Sequence, residues 1–144
     1  MKLLVIGQSV VDRIKIDDKI TVKPGGIFYT SIGLKNFINS GDKVHLCSMM
    51  DRKNYNLFED VYKNFNISQI EWVNKIATVE LVIHEKNERW EQYDTEPESL
   101  SLQTELDYGA FDGILVNMIN GVDISVEDLT KIRKRFSFWF LFLM

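Results

Sequence analysis

The chain contains short runs in which apolar residues predominate, each long enough for a single strand. Such runs lie at residues 3–6, 43–48 and 114–117, and a more strongly apolar run occupies residues 136–144. A strand in a parallel sheet is covered on both faces, so its sequence is apolar throughout rather than alternating. The four runs therefore predict the buried strands of one parallel sheet.

Segments with helical spacing lie between these runs. One helix is predicted after residues 24–26, a second over residues 57–65, and a third after Ser125. Apolar side chains recur three or four positions apart, as expected for helices with one buried face. Ser125 and Asp128 resemble a capping box, in which a hydroxyl caps the first helical turn. The alternation of strands and helices predicts an α/β, Rossmann-like fold with a partial parallel sheet.

Two segments follow a different pattern, in which apolar and polar residues alternate. Residues 13–23 alternate around the turn Asp17-Asp18-Lys19, and residues 78–84 and 89–93 flank a turn at residues 85–88. Alternation of period two is typical of strands with one exposed face. We expect two hairpins outside the parallel sheet, forming a small β lid from segments of approximately 13–23 and 70–95.

Composition narrows the possible classes of protein. The 144 residues are 45% hydrophobic and 26% charged, which suits one soluble globular domain. The formal net charge of −4 disfavours a nucleic-acid partner, since that charge repels phosphate backbones. Four basic residues are clustered within residues 131–135, and we interpret them as the solvated face of a helix.

The single cysteine, Cys47, excludes an intrachain disulfide and indicates a reducing, cytoplasmic location. It lies in an apolar run, where we expect a buried structural thiol. His45 and His84 have no neighbours at ligand spacing, so we expect no metal site. The apolar C-terminal run has nine residues, whereas a membrane-spanning helix needs about 20, so we expect no membrane partner.

Two features in the first 26 residues could carry chemistry. Asp12 follows the first predicted strand, and ligands of open α/β sheets bind beyond the carboxyl ends of the strands. Its carboxylate could accept hydrogen bonds from two sugar hydroxyls, or Asp12 could merely end a strand. Gly25 and Gly26 could let the backbone approach a ligand, or they could form a tight turn after Pro24.

The order of these features resembles the amino-terminal portion of the ribokinase (PfkB) carbohydrate kinase family. The shared pattern is a strand ending Gly-x-x-x-x-Asp, a hairpin, and a Gly-Gly pair that opens a helix. Three further segments fit the family. Residues 44–51 resemble its second core strand with a following acidic residue, and residues 79–93 resemble its lid strands. Residues 112–117 resemble the strand that reaches the substrate. The resemblance covers nearly the whole chain, although no single motif is diagnostic.

The resemblance implies a role for each matching residue. Asp12 would bind substrate hydroxyls, and the backbone at Gly25 and Gly26 would contact the substrate, as would Asn117. Thr30 stands where the family usually has a substrate-binding Asn. The substrate would be a sugar or a nucleoside, and the lid would close over it and exclude water.

The segment Phe28-Tyr29 departs from the family, which commonly has small residues there. The two aromatic side chains could belong to the helix core, or they could reshape the substrate pocket. The identity of the substrate therefore cannot be taken from the family.

The family's phosphoryl-transfer motifs, an Asn-x-x-Glu segment and a Gly-Ala-Gly-Asp segment, belong to its carboxyl-terminal half, and Gly-Ala-Gly-Asp does not occur among these 144 residues. We therefore expect a truncated kinase without catalytic residues, inactive alone and without a cofactor of its own. ATP and magnesium are implied for a full-length relative. The alternative is a non-catalytic interaction module, which would dimerise through the lid or complete its sheet with a partner chain.

Overall fold

A computed structural model describes residues 1–83, 89–94, 98–102 and 106–135, together with the backbone of residues 140–143. Its strands are β1 Lys2–Gly7, β2 Ser9–Ile16, β3 Lys19–Gly26, β4 Lys43–Met50, β5 Asn66–Trp72, β6 Thr78–Ile83, β7 Trp90–Tyr93, β8 Gly113–Met118 and β9 Phe140–Leu143. Its α-helices are α1 Ile27–Phe37, α2 Tyr55–Tyr62 and α3 Val126–Arg135, and Tyr108–Ala110 forms one turn of 3₁₀ helix.

Five strands form a large parallel sheet in the order β5-β4-β1-β8-β9. The predicted apolar runs supply its central strands, and in β1 the side chains of Leu4, Val5 and Ile6 are completely buried. Helices α1 and α2 pack together, where the Phe28 and Phe58 rings meet edge to face at 5.6 Å. The α/β fold class predicted from the alternation of strands and helices is confirmed.

The other four strands form a separate sheet in the order β3-β2-β6-β7, which we call the lid sheet. Two antiparallel hairpins, β2–β3 and β6–β7, are joined through a parallel pairing of β2 with β6. The two hairpins predicted from period-two alternation are therefore present and lie outside the large sheet. The expected turn at residues 85–88, and His84 before it, lie outside the described residues.

Two boundaries differ from those expected. Strand β5 pairs in parallel with β4, so residues 70–72 of the expected lid segment 70–95 belong to the large sheet. Strand β2 begins at Ser9, directly after Gln8, so Asp12 lies within a lid strand rather than at the end of β1. The reason is long-range pairing, since β2 is held on one side by β3 and on the other by β6.

Three smaller expectations are met, for the cap of α3, the basic residues and Cys47. The Asp128 amide donates to Ser125 Oγ at 3.0 Å, which caps α3 as predicted. The four basic residues in 131–135 are exposed, and Cys47 is buried, which raises the pKa of its thiol to about 12. Among the helices of the described residues, none is long and apolar enough to cross a membrane.

Candidate functional site

A cavity of about 400 Å³ lies where the lid sheet meets the end of β8 and the start of α1. We call it the Asp12 cavity. Its lining residues are Val10, Asp12, Gly26, Tyr29, Val79, Leu81, Arg89, Glu91, Tyr93, Asn117, Met118 and Ile119. Parallel sheets place ligands beyond the carboxyl ends of their strands, and the cavity adjoins the carboxyl end of β8.

Strand pairing brings the lid side chains of this cavity onto one face. Asp12 is opposite Val79, and Val79 is opposite Tyr93, so the three side chains share the inner face of the lid sheet. Residues two positions along each strand share that face, because side chains alternate along a strand. Leu81 and Glu91, which are paired with each other, are therefore on the inner face too.

Asp12 is partly buried in the cavity wall. Desolvation raises the pKa of its carboxyl group to about 6, although the Arg89 guanidinium acts in the opposite direction, and the Glu91 carboxylate adds to the rise. No hydrogen bond to this carboxylate is found among the described residues. A carboxylate that loses hydration without gaining a donor reduces stability at neutral pH. A ligand hydroxyl would supply the missing donor.

Gly25 lies directly against Asp12. A Cβ atom at position 25 would be 2.5 Å from both carboxylate oxygens of Asp12, far inside contact distance. The absence of a side chain at Gly25 therefore makes room for the Asp12 carboxylate. Gly25 lies in β3 opposite Val10, so it is not part of a tight turn after Pro24.

Gly26 connects the lid sheet to α1. Its φ of 65° is in the left-handed region that favours glycine, and a Cβ there would be 2.0 Å from the Gln8 carbonyl oxygen. That same carbonyl accepts a hydrogen bond from the Ile27 amide at 3.0 Å. The backbone at Gly26 is thus fixed at the cavity wall, and its predicted contact with a ligand stays a prediction.

Asn117 approaches the cavity from the large sheet. It lies near the end of β8, is only 4% exposed, and its Nδ2 donates a hydrogen bond to Thr30 Oγ1 at 2.6 Å. Thr30 is not among the residues that line the cavity. Its hydroxyl orients the Asn117 amide through this hydrogen bond. The structure therefore brings Asp12, Gly26 and Asn117 to one cavity, with Gly25 beside Asp12 and Thr30 beside Asn117.

Three lining residues in or next to β7 were not among the predicted site residues, namely Arg89, Glu91 and Tyr93. Arg89 and Glu91 form an ion pair, and Tyr93 completes the row on the inner face of the lid sheet. The signal in the sequence is their spacing, because residues 89, 91 and 93 are two apart and extended chain places them on one side.

Asp51, which matches an acidic position of the family, has a structural role here. Its carboxylate accepts hydrogen bonds from the Asn54 amide at 2.8 Å, from Asn54 Nδ2 at 2.9 Å and from the Ile76 amide at 2.9 Å. Burial raises the pKa of Asp51, but these hydrogen bonds outweigh that effect and leave the pKa below its usual value. Asp51 therefore ties the segment before β6 to the end of β4.

A second cavity, of about 460 Å³, lies beside Gln8, Met49 and Trp72. None of the predicted site residues lines it. The carboxylate in the Asp12 cavity is partly buried and lacks a hydrogen-bond donor among the described residues, whereas Glu98, the acidic residue at the second cavity, is exposed to water. The smaller Asp12 cavity is therefore the better candidate for a binding site.

Solved kinase structures share the fold of this chain. A ribokinase from Cryptococcus neoformans gives a TM-score of 0.66 at 11% identity, over 93% of this chain and 44% of the kinase. A possible 1-phosphofructokinase from Thermotoga maritima gives 0.66 at 16% identity, over 99% and 53%. A nucleoside kinase of the ribokinase family from Methanocaldococcus jannaschii gives 0.56 at 19% identity, over 97% and 60%.

These similarities establish the ribokinase-like fold that the sequence resemblance implied. The chain spans about half the length of these three proteins. No protein-family model matches the sequence, and no curated protein matches it.

Proposed function

We propose that this ribokinase-like chain is the substrate-binding and lid half of an ATP-dependent sugar or nucleoside kinase of the PfkB family. The observation that carries the proposal is the Asp12 carboxylate, which is partly desolvated, lacks a hydrogen-bond donor among the described residues, and faces a cavity. Vicinal hydroxyls of a polyol are donors that such a carboxylate binds well, because hydrogen bonds to a charged acceptor are stronger than neutral ones.

The surroundings of Asp12 support the same proposal. Gly26, at the end of lid strand β3, and Asn117, in β8 of the large sheet, both line the cavity, so a ligand would meet groups from both sheets at once. A lid that covers the acceptor alcohol would exclude water, which otherwise competes for the phosphoryl group. Asp12, Gly25, Gly26, Thr30 and Asn117 are accordingly the proposed substrate-site residues.

Phosphoryl transfer depends on groups that position the nucleotide and magnesium and stabilise the developing charge. The family's Gly-Ala-Gly-Asp segment is not among these 144 residues, so we expect the chain by itself to bind an alcohol but not to phosphorylate it. ATP and magnesium would be bound by other residues of a full-length relative. The buried, free Cys47 suits the reducing cytoplasm, which remains the expected location.

Calorimetric titration of the chain with ribose, fructose and adenosine tests the proposal. Asp12→Ala removes the hydroxyl-binding carboxylate and should weaken binding roughly tenfold to a hundredfold, the effect of losing hydrogen bonds to a charged group. Asp18→Asn, in the exposed turn of the same hairpin, is the matched control and should leave affinity unchanged. If the Asp12→Ala variant binds these compounds as tightly as the parent chain, Asp12 is not a binding residue. Phosphorylation of any of these alcohols by the chain with ATP and magnesium would refute the expected inactivity.

A second candidate function, a non-catalytic module that dimerises through its lid, is favoured by one observation. Ile20, Val22 and Trp90 are 51%, 49% and 52% exposed. Strand pairing places Ile20 opposite Lys15, and Trp90 opposite Val82, on the face of the lid sheet turned away from Asp12. Exposed apolar groups on one face are typical of an association surface.

Sedimentation velocity distinguishes this second function. If the outer lid face is the dimer contact, Ile20→Asp should convert a dimer to a monomer. Thr21→Asp, on the opposite face of the same strand, should leave the dimer intact. A chain that is monomeric at high concentration would exclude the dimer.

A further inference from the structure

The loop that follows β8 contacts the lid sheet, and we call residues 119–123 the latch loop. Its first residue, Ile119, packs against the buried apolar cluster of the lid sheet, which contains Val10 and Val79. A Cβ atom at Gly26 would lie 3.0 Å from Ile119 Cδ1, so the Ile119 side chain also reaches the end of β3. Ile119 therefore contacts the lid sheet from a segment that continues a strand of the large sheet.

Asp123 determines the shape of the latch loop. Its side chain is completely buried, and its Oδ2 atom accepts hydrogen bonds from the Ile119 amide at 2.6 Å and from the Asn120 amide at 2.7 Å. Asn120 Oδ1 in turn accepts a hydrogen bond from the Val122 amide at 2.9 Å. These side-chain acceptors take the place of a helix or strand partner, so the position of Ile119 depends on the Asp123 carboxylate.

The chain that follows β7 is attached to the same loop. The Leu100 amide donates a hydrogen bond to the Asp123 carbonyl oxygen at 2.9 Å, and Ser99 Oγ donates to the Val122 carbonyl oxygen. The Leu100 side chain is buried. The latch loop thus holds the inner face of the lid sheet through the Ile119 side chain, and holds the chain beyond the lid sheet through its backbone.

Asp51 and Asp123 both hold segments next to the lid sheet, but with different hydrogen bonding. The Asp51 carboxylate accepts three hydrogen bonds, shared between both oxygens, and these keep its pKa below the usual value despite burial. Asp123 Oδ1 is buried without a hydrogen-bond partner among the described residues, and burial raises the pKa of this carboxyl group. A buried acceptor without a donor reduces stability. Opening the latch loop would hydrate Oδ1, which offsets part of the free energy lost on opening.

We propose that the latch loop is a releasable attachment of the lid sheet, which opens at Ile119 and Asp123 while it stays anchored at Asp51. Met118 and Ile119 line the Asp12 cavity, so release of the loop would open the cavity on the side of the large sheet. Asp123 is a positioning residue, because it acts through the backbone of Ile119 and is not among the residues that line the cavity. The proposal goes beyond the proposed function and does not depend on which ligand the cavity binds.

Hydrogen exchange of the ligand-free chain tests the proposal. Asp123→Ala removes the acceptor of two amides, and Ile119→Ala removes the apolar contact with the lid sheet. Both should lower amide protection in β2, β6 and β7 by roughly tenfold to a hundredfold, the change in an opening equilibrium expected from such losses, while protection in β1 and β4 is unchanged. Val122→Ala, at a 51% exposed position of the same loop, is the matched control and should leave protection unchanged throughout.

Two further variants test the roles of the carboxylates. Asp123→Asn keeps an oxygen that can accept both backbone hydrogen bonds, so it should retain the protection of the lid sheet. Asp51→Ala should lower protection in β4 and β6 together, because Asp51 ties the Ile76 amide before β6 to the end of β4. An effect of Asp51→Ala confined to the lid sheet would contradict its role as the fixed anchor.

Thiol labelling gives a readout that a general loss of stability would not produce. Met118→Cys places a thiol at the wall of the Asp12 cavity, and the buried Cys47 of the large sheet is the internal reference. When Asp123→Ala is added, labelling at position 118 should become roughly tenfold faster, whereas labelling of Cys47 should stay slow.

Three outcomes would overturn the latch. The first is an Asp123→Ala variant that loses protection in β1 and β4 as much as in the lid sheet, or whose two thiols are labelled equally faster. The second is an Ile119→Ala variant with an unchanged lid sheet, and the third is an Asp123→Asn variant that loses as much protection as Asp123→Ala. If Asp123→Ala does not fold, the Ile119→Ala and Asp123→Asn variants decide the question. None of these measurements uses a ligand, so failure of the latch leaves the proposed alcohol site intact.

Discussion

The large sheet and the lid sheet differ in how they are stabilised. Among the residues that the structure describes, the core around the large sheet contains twenty-one buried residues, whereas the buried cluster of the lid sheet consists of Val10, Val79 and Leu81. The inner face of the lid sheet also carries Asp12, which is desolvated without a hydrogen-bond donor among the described residues. Buried apolar residues are thus concentrated around one sheet and the candidate binding chemistry lies on the other.

The largest expected effect comes from the core of the large sheet. Phe58 is completely buried, and Phe58→Ala should lower the free energy of unfolding by about 3–5 kcal/mol, the usual consequence of deleting a buried ring. Leu81→Ala in the lid sheet should cost about 2 kcal/mol, because its cluster is small and can relax around the cavity. Urea unfolding measures both values.

Hydrogen exchange then shows whether the two sheets unfold separately. In Leu81→Ala we expect amide protection to fall in β2 and β6 while that of β1 and β4 is unchanged. Equal loss of protection in both sheets would mean that the lid sheet is not a separate unit.

The next effect concerns the contact between Gly25 and Asp12. Gly25→Ala places a methyl group 2.5 Å from the Asp12 carboxylate oxygens, so we expect a loss of about 1–3 kcal/mol in stability, as for other overpacked sites. Combining it with Asp12→Ala removes the obstructing carboxylate and should recover most of that loss, which makes the pair strongly non-additive.

Gly33 supplies the control for this substitution. Apart from the adjacent residues and the backbone of α1 itself, no described atom lies within 4 Å of a Cβ at Gly33, which is in the interior of α1, so Gly33→Ala should stabilise the fold by about 0.5–1 kcal/mol. Thermal unfolding of the four variants checks the comparison, and additive losses at positions 12 and 25 would show that the two residues do not touch.

The smallest predicted effect on stability depends on pH. Because the pKa of Asp12 is raised from 3.8 to about 6, its contribution to stability is present below pH 4 and is lost as the pH rises through 6. Asp12→Asn should therefore match the parent chain at about pH 3.5 and exceed it at pH 8 by about 1–2 kcal/mol, a value reduced for solvent screening of the partly exposed carboxylate. Urea unfolding across this pH range is the measurement, and a parent chain more stable than Asp12→Asn at pH 8 would contradict the assignment.

The comparison between the sheets also explains what the sequence could predict. The strands of the large sheet follow from local apolar runs such as residues 3–6, because a strand covered on both faces is apolar throughout. The lid hairpins follow from alternation, which is equally local. Residues 70–72, the last part of β5, are expected in the lid but belong to the large sheet. Their place depends on the pairing of β5 with β4, which no local pattern specifies.

The sequence identified individual residues of the candidate site but not how close together they lie. Asp12, the glycine pair and Asn117 were identified from the order of motifs, but their proximity depends on two long-range pairings, β2 with β6 and β1 with β8. The roles of Gly25 and Thr30 became clear from contacts with Asp12 and Asn117, residues 13 and 87 positions away in the chain. Tyr29 and Phe28 are adjacent and chemically similar, so only their packing separates a cavity residue from a core residue.

The pH dependence of ligand affinity tests the central claim, that the Asp12 carboxylate of the lid sheet binds the hydroxyls of the substrate. The ionised carboxylate accepts the hydrogen bonds, so binding of adenosine by the parent chain should strengthen as the pH rises from 5 to 8, with a midpoint at about 6, the raised pKa of Asp12. The same titration on Asp12→Asn should show weak binding that does not change with pH. An affinity of the parent chain that is constant from pH 5 to 8 would contradict the account.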